Sequence, residues 1–146
     1  MSLPKEILEW AVWANLDRHK DVELALLKGH LIIEVLVNGA IDKHLSKGQH
    51  ISSLNLQFAK KIHLLYLLSK DSSPKAKDAH DLLLRLNAIR NKLAHDFEFE
   101  HEDSNLAQWA EEVLAKLPVN KMTRYTYRTR IAHAFAALGR ELYETQ

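Results

Sequence analysis

Arg90, Asn91 and His95 place three different chemical abilities within six residues of chain. The Arg90 guanidinium is a permanent cation whose planar fork grips a phosphate with two parallel N–H bonds. His95 can take or give a proton near neutral pH. Asn91 precedes His95 by four residues, one helical turn, which puts its amide in register to hydrogen-bond the imidazole and fix its tautomer. Asp96, directly after the histidine, can orient the ring or raise its proton affinity, or it can cap a turn. Apolar residues at Leu82, Leu83, Leu84, Leu86, Ile89 and Leu93 carry helical spacing up to about Ala94. The segment Asp96-Phe-Glu-Phe-Glu100 then alternates polar and aromatic residues and reads as extended chain, so the trio sits where a helix ends. Arg90 and His95 are separated by about 140° around an ideal helix. Either the helix loosens near His95, or a second chain completes the site.

The segment Arg90-Asn-Lys-Leu-Ala-His95, closing an amphipathic helix, resembles the signature of the HEPN superfamily. These are small all-helical domains with an R-x4-6-H motif, often written R-N-x-x-x-H. The resemblance extends over most of the chain, as two helical hairpins with the motif on a late helix. It implies an all-α bundle of about five to six helices in a single domain spanning 1–146. It also implies a metal-independent endoribonuclease without a cofactor, acting on RNA or a nucleotide, with the motifs of two subunits lining one cleft in a homodimer. Several members are toxins neutralised by a nucleotidyltransferase-like antitoxin. Other members are not catalytic, and a mannitol-operon-regulator group is similar in outline. A nucleotide-, RNA- or protein-binding module of regulatory type is therefore the alternative reading. On this resemblance Arg90, Asn91 and His95 are the catalytic set. One position departs from the toxin pattern: Phe97 stands where some members carry the Tyr to which an antitoxin attaches AMP. A second match to the bare pattern, Arg128-Thr-Arg-Ile-Ala-His133, lacks the Asn.

The remainder of the chain must position that trio. At 146 residues, with 47% hydrophobic and 27% charged residues, it is long enough for one domain with a proper core. Four Gly and three Pro favour long helices over a turn-rich β architecture. The absence of Cys excludes a disulfide framework, a thiol nucleophile and a zinc knuckle. A net charge of +1 gives no global bias toward nucleic acid. Locally, Asp96 to Glu112 holds seven acidic residues and no Lys or Arg, whereas Lys121 to Arg130 holds four basic residues and no acid. No apolar run approaches membrane-spanning length and the N-terminus lacks signal architecture, so the expected compartment is the cytoplasm, with no membrane partner.

Six helices are predicted. The first runs from the Ser2–Pro4 start to about Leu16, with Ile7, Trp10 and Trp13 as a packing stripe. The second runs from Lys20 to Lys47. Its inner face is Leu24, Leu27, Leu31, Val35 and Ile41, widened by Leu26, Ile33 and Val37, and its apolar circumference predicts packing on two sides. Gly29 and Gly39 each cost about 1 kcal/mol in a helix interior relative to Ala, so close approach of a neighbouring helix is their expected use. Glu34, one turn after His30, is a candidate to support the Arg90 site from behind, as is Asp96; no metal site is expected. A third helix, capped by Ser53 or Asn55, reaches Leu68, with Lys60 and Lys61 facing solvent. The fourth, from about Pro74 to Ala94, carries the Arg90 motif. The fifth runs from a cap at Asp103 or Ser104 to Leu117. In the sixth, Lys121 to Tyr143, Lys121, Arg124 and Arg128 share a stripe beside Tyr125 and Tyr127, a combination suited to RNA or phosphate.

Overall fold

The computed structural model describes residues 4–17, 21–96, 99–100, 105–117 and 126–144. Among them the chain is an all-α bundle: α1 (Lys5–Asp17), α2 (Val22–Asp42), α3 (Phe58–Ser69), α4 (Ala76–His95), α5 (Leu106–Lys116) and α6 (Tyr127–Glu144), with a short 3-10 turn at Ile51–Ser53.

The bundle is built around α6. Residues 131–139 are all buried, as are Glu141 and Leu142, so this helix is covered on every side by α1, α2 and α5. Its alanines (Ala132, Ala134, Ala136, Ala137) let neighbours approach closely, while Phe135 and Leu138 fill the spaces between. Phe135 packs against Trp109 of α5 at a centroid separation of 5.1 Å. The Trp109 indole N–H is not left orphaned in this apolar setting, because it donates to the Leu82 carbonyl of α4 at 2.9 Å. Gly29 of α2 lies directly on the Phe135 ring, where a Cβ would come within 2.7 Å of three ring atoms. The expected use of Gly29, close approach of another helix, is what the fold shows.

A polar seam joins α1 to α6. Glu9 is buried, accepts from the Arg140 guanidinium at 2.9 Å and stands 3.9 Å from His133. Arg128 donates to the carbonyl and the carboxylate of Asp17 at the end of α1. Both residues of the second R-x4-H match are thus engaged with α1.

Three expectations about which face is buried are corrected. In α1 the inward row is Glu9, Val12 and Leu16; Ile7 and Trp10 face outward, Trp10 being 65% exposed. In α2 the inward row is Leu26, Gly29, Ile33, Val37 and Ile41, whereas Leu24, Leu27, Leu31 and Val35 are exposed. Both rows are apolar, so periodicity alone does not choose between them; Gly29, which must face Phe135, does. Lys61 does not face solvent: it is buried and paired with Glu34 at 3.6 Å, while Lys60 is exposed. The expectation that no apolar stretch reaches membrane-spanning length does not hold for α2 either. By length and hydropathy it qualifies, with half of its most apolar window buried inside the bundle.

Element ends also moved, for local reasons. The second helix stops at Asp42 rather than Lys47, because the Asp42 carboxylate turns to accept from the Ile51 N–H at 2.6 Å and meets the His50 ring at 3.1 Å. That bond starts the 3-10 turn where a helix cap was expected, and α3 begins later, at Phe58. The expected caps Asp103 and Ser104 lie outside the described residues; α5 starts after Asn105, which adopts a left-handed φ of 66°. Asn tolerates that conformation better than most residues.

Candidate functional site

The buried face of α4 (Ala76, Ala79, Leu82, Leu83, Leu86 and Ile89) is spent by Ile89, and the helix continues one and a half turns beyond it. Those turns carry Arg90, Asn91 and His95 away from the core. The helix does not loosen there: it stays regular through His95 and is closed by the Asp96 N–H donating to the Lys92 carbonyl at 2.9 Å. Even so, Arg90, Asn91 and His95 all line one solvent-open cleft of about 420 Å³. The cleft is wide enough to reach around the angle between Arg90 and His95. His30 and Glu34 of α2, Gln57, Phe58 and Ala59 at the start of α3, and Asn87 of α4 complete its lining.

The electrostatics of this cleft are uneven. Arg90 has no ion-pair or hydrogen-bond partner among the described residues. By contrast Arg85, one turn earlier, is held by Glu112 of α5, and Glu34 is offset by Lys61. The cleft therefore keeps one uncommitted guanidinium. His95 and Asn91 are exposed, and neither is hydrogen-bonded to the other among the described residues. His95 and Lys92 occupy the last turn of α4, where cationic side chains oppose the negative end of the helix dipole.

His30 is the largest surprise of the site. It is 5% exposed and packs edge-on against Phe58 at 4.7 Å. Burial holds its pKa below the ordinary histidine value, and the nearby Arg90 charge depresses it further; Glu34 and a hydrogen bond that the ring donates to the Asn87 side-chain carbonyl act in the opposite direction. The ring is therefore neutral at pH 7. Its Nε2 is buried with no hydrogen-bond partner among the described residues. Reading the sequence pairs His30 with Glu34 and goes no further. The turn-spaced signal that also brings in Asn87, three residues before Arg90, becomes legible only once α2 and α4 are known to be neighbours.

Of the remaining predicted residues, Glu34 lines the same cleft as Arg90. Asp96 closes α4 and is exposed. Lys121, Arg124, Phe97 and Tyr125 lie outside the described residues. Arg128 is committed to Asp17 and is not part of the cleft lining.

Comparison with protein-family models, with curated proteins and with solved structures returned no match for this chain.

Proposed function

We propose that the α2–α3–α4 cleft binds RNA and cleaves its phosphodiester backbone without a metal. The observation that carries this reading is the meeting of Arg90, Asn91 and His95 in one open cleft where Arg90 has no ion-pair or hydrogen-bond partner among the described residues. An uncommitted guanidinium beside an exposed imidazole is the arrangement that attack of a 2′-hydroxyl on its own phosphate requires. The 2′-oxygen bonds to phosphorus as a base removes its proton. The bond to the 5′-oxygen breaks as an acid protonates that oxygen, and a cation stabilises the charge gathering on the phosphoryl oxygens. The products are a 2′,3′-cyclic phosphate and a 5′-hydroxyl.

One chain supplies one His95. A second copy across a twofold axis supplies the other, with a second Arg90. The exposed apolar row Leu24, Leu27, Leu31 and Val35 on α2 favours such a homodimer, because it alternates along the helix with the cleft residues His30 and Glu34 and is left exposed by the described residues. A toxin role under a nucleotidyltransferase-like antitoxin accords with this chemistry, although Phe97 offers no hydroxyl for nucleotide attachment. One observation favours a second reading, a non-catalytic nucleotide-, RNA- or protein-binding module of the HEPN kind: nothing among the described residues holds His95 in a fixed tautomer.

The test is cleavage of several RNAs by purified protein in EDTA, with Arg90→Ala and His95→Ala beside the wild type. Loss of one proton-transfer group is expected to slow cleavage by roughly 10²–10⁴-fold. Absence of cleavage by folded wild-type protein would instead favour the binding module.

A further inference from the structure

Outside the cleft, α3 and α4 bring two histidines together. His63 Nδ1 and His80 Nε2 stand 2.9 Å apart, with ring centroids 4.9 Å apart and ring planes tilted by 53°. Neither ring lines the Arg90 cleft. His80 is held in place from two sides: the Asp81 Oδ1 lies 3.3 Å from its Nδ1, and the Tyr66 ring packs on it at 4.8 Å. Its side chain is still 17% exposed, and His63 is exposed, so solvent reaches the pair. A carboxylate can only accept, so Asp81 keeps the His80 proton on Nδ1 and leaves Nε2 as a bare lone pair. That lone pair accepts the Nδ1–H of His63. A single proton therefore fills the space between two imidazole nitrogens from different helices. A carboxylate on the far nitrogen of the ring is also the support that metal-ligating histidines use.

We propose that His63 Nδ1 and His80 Nε2 chelate a late first-row divalent cation, Cu²⁺ most tightly, with Asp81 as the orienting carboxylate. At metal–nitrogen distances of about 2.0–2.1 Å, nitrogens 2.9 Å apart subtend roughly 90° at the ion, the cis angle of square-planar and octahedral coordination. A tetrahedral ion such as Zn²⁺ needs the nitrogens to part to about 3.4 Å and fits less well. A rotation of the exposed His63 ring turns both lone pairs toward the ion, and the His63 proton moves to its Nε2, which keeps that ring neutral. Imidazole suits Cu²⁺, Ni²⁺ and Zn²⁺ and not the oxygen-seeking Mg²⁺ or Ca²⁺. Among the described residues no third His, Cys, Asp or Glu enlarges the set, so water fills the remaining positions. Lys60 and Lys77, one turn before each ligand on its helix, are exposed, where solvent screens their charge. The ion bridges α3 and α4, the two helices that wall the Arg90 cleft with α2.

The site is independent of the proposed cleavage, which proceeds in EDTA. Its test uses the full chain without an affinity tag and Cu²⁺ delivered as the glycine complex. Calorimetry compares wild type with His63→Gln, His80→Gln, Asp81→Asn and His44→Gln, the last an exposed histidine outside the pair. A thermal melt without metal accompanies each variant, and His63→Gln, at an exposed position, is expected to melt within a few degrees of wild type. Wild type should bind one equivalent of Cu²⁺. Binding should weaken at least about tenfold in His63→Gln and in His80→Gln, and about tenfold in Asp81→Asn, the usual effect of losing a carboxylate that supports a ligating histidine. His44→Gln should stay within twofold of wild type. Electron paramagnetic resonance of the one-to-one complex should show two imidazole nitrogens on the ion, and excess Mg²⁺ should not displace it. Unchanged binding in either variant of the pair, an equal loss in His44→Gln, or a spectrum with a single nitrogen would mark an adventitious ion only and overturn the site. A wild type that binds no Cu²⁺ would overturn it as well.

Discussion

Gly29→Ala isolates the contact that sets the orientation of α2, and with it the position of His30. The perturbation adds one methyl group at a place where a Cβ meets Cδ1, Cε1 and Cζ of Phe135 at 2.7 Å. That separation is more than 0.5 Å inside ordinary carbon–carbon contact, which lies at about 3.5–4.0 Å. The ring cannot simply move away, because Phe135 is fully buried and packs at a tilt against Trp109, which is itself tied to the Leu82 carbonyl. Overpacking of this kind costs about 1–3 kcal/mol, and a ring held on both sides puts this site in the upper part of that range, about 2–3 kcal/mol. Replacing a mid-helix Gly by Ala returns about 1 kcal/mol of helix propensity. The net expectation is a loss of roughly 1–2 kcal/mol, or a fall in Tm of roughly 2–8 °C for a chain of this size. Urea denaturation and calorimetry measure it. Phe135→Leu in the Gly29→Ala background should recover part of the loss, because two residues in contact are not additive. A Gly29→Ala protein as stable as wild type, or more stable, would refute the close approach of α2 and α6.

Three further outcomes follow from buried polar groups. Glu9→Ala leaves Arg140 and His133 without their buried acid, and breaking one side of a buried pair typically costs about 3–5 kcal/mol; chemical denaturation should show it, while Lys5→Ala at the exposed end of the same seam should shift stability by under about 1 kcal/mol. The Glu141 carboxyl is pushed above its ordinary pKa by burial first and by the neighbouring Glu144 second. Its stabilising contribution is therefore present at low pH and lost as pH rises through the folded-state pKa, so Glu141→Gln should be more stable than wild type at pH 7, with the gap closing below about pH 4.5. The opposite sign holds for His30, whose pKa is lowered: wild type should lose stability relative to His30→Gln as the pH falls below 6.5, and pH-resolved melts of the pair measure the difference.

Much of the helical layout was legible in the sequence because Ser, Pro, Gly and apolar periodicity all point the same way along this chain. The fourth helix was placed within about two residues, since its start chemistry and leucine spacing agree. What could not be read was the choice between two equally apolar faces. Leu24, Leu27, Leu31 and Val35 repeat as regularly as Leu26, Ile33 and Val37, and only tertiary contact with Phe135 decides. The same limitation hid the polar seam: Glu9, His133 and Arg140 are unremarkable until α1 and α6 lie side by side. At the site, Arg90, Asn91 and His95 were identifiable from residue type and spacing. Their common cleft, and the buried His30 behind it, depend on α2 and α3 meeting the end of α4, which sequence spacing does not encode.

The most direct test of the central claim uses one RNA and its analogue with a single 2′-deoxy substitution at the mapped cleavage position, each incubated in EDTA with wild type, Arg90→Ala and His95→Ala. The account predicts that wild type cuts only the all-ribose strand, leaves a 2′,3′-cyclic phosphate and a 5′-hydroxyl, and loses activity in both variants while the proteins remain folded. Cutting of the 2′-deoxy strand at that position, dependence on added metal, or undiminished cleavage by either variant would contradict it.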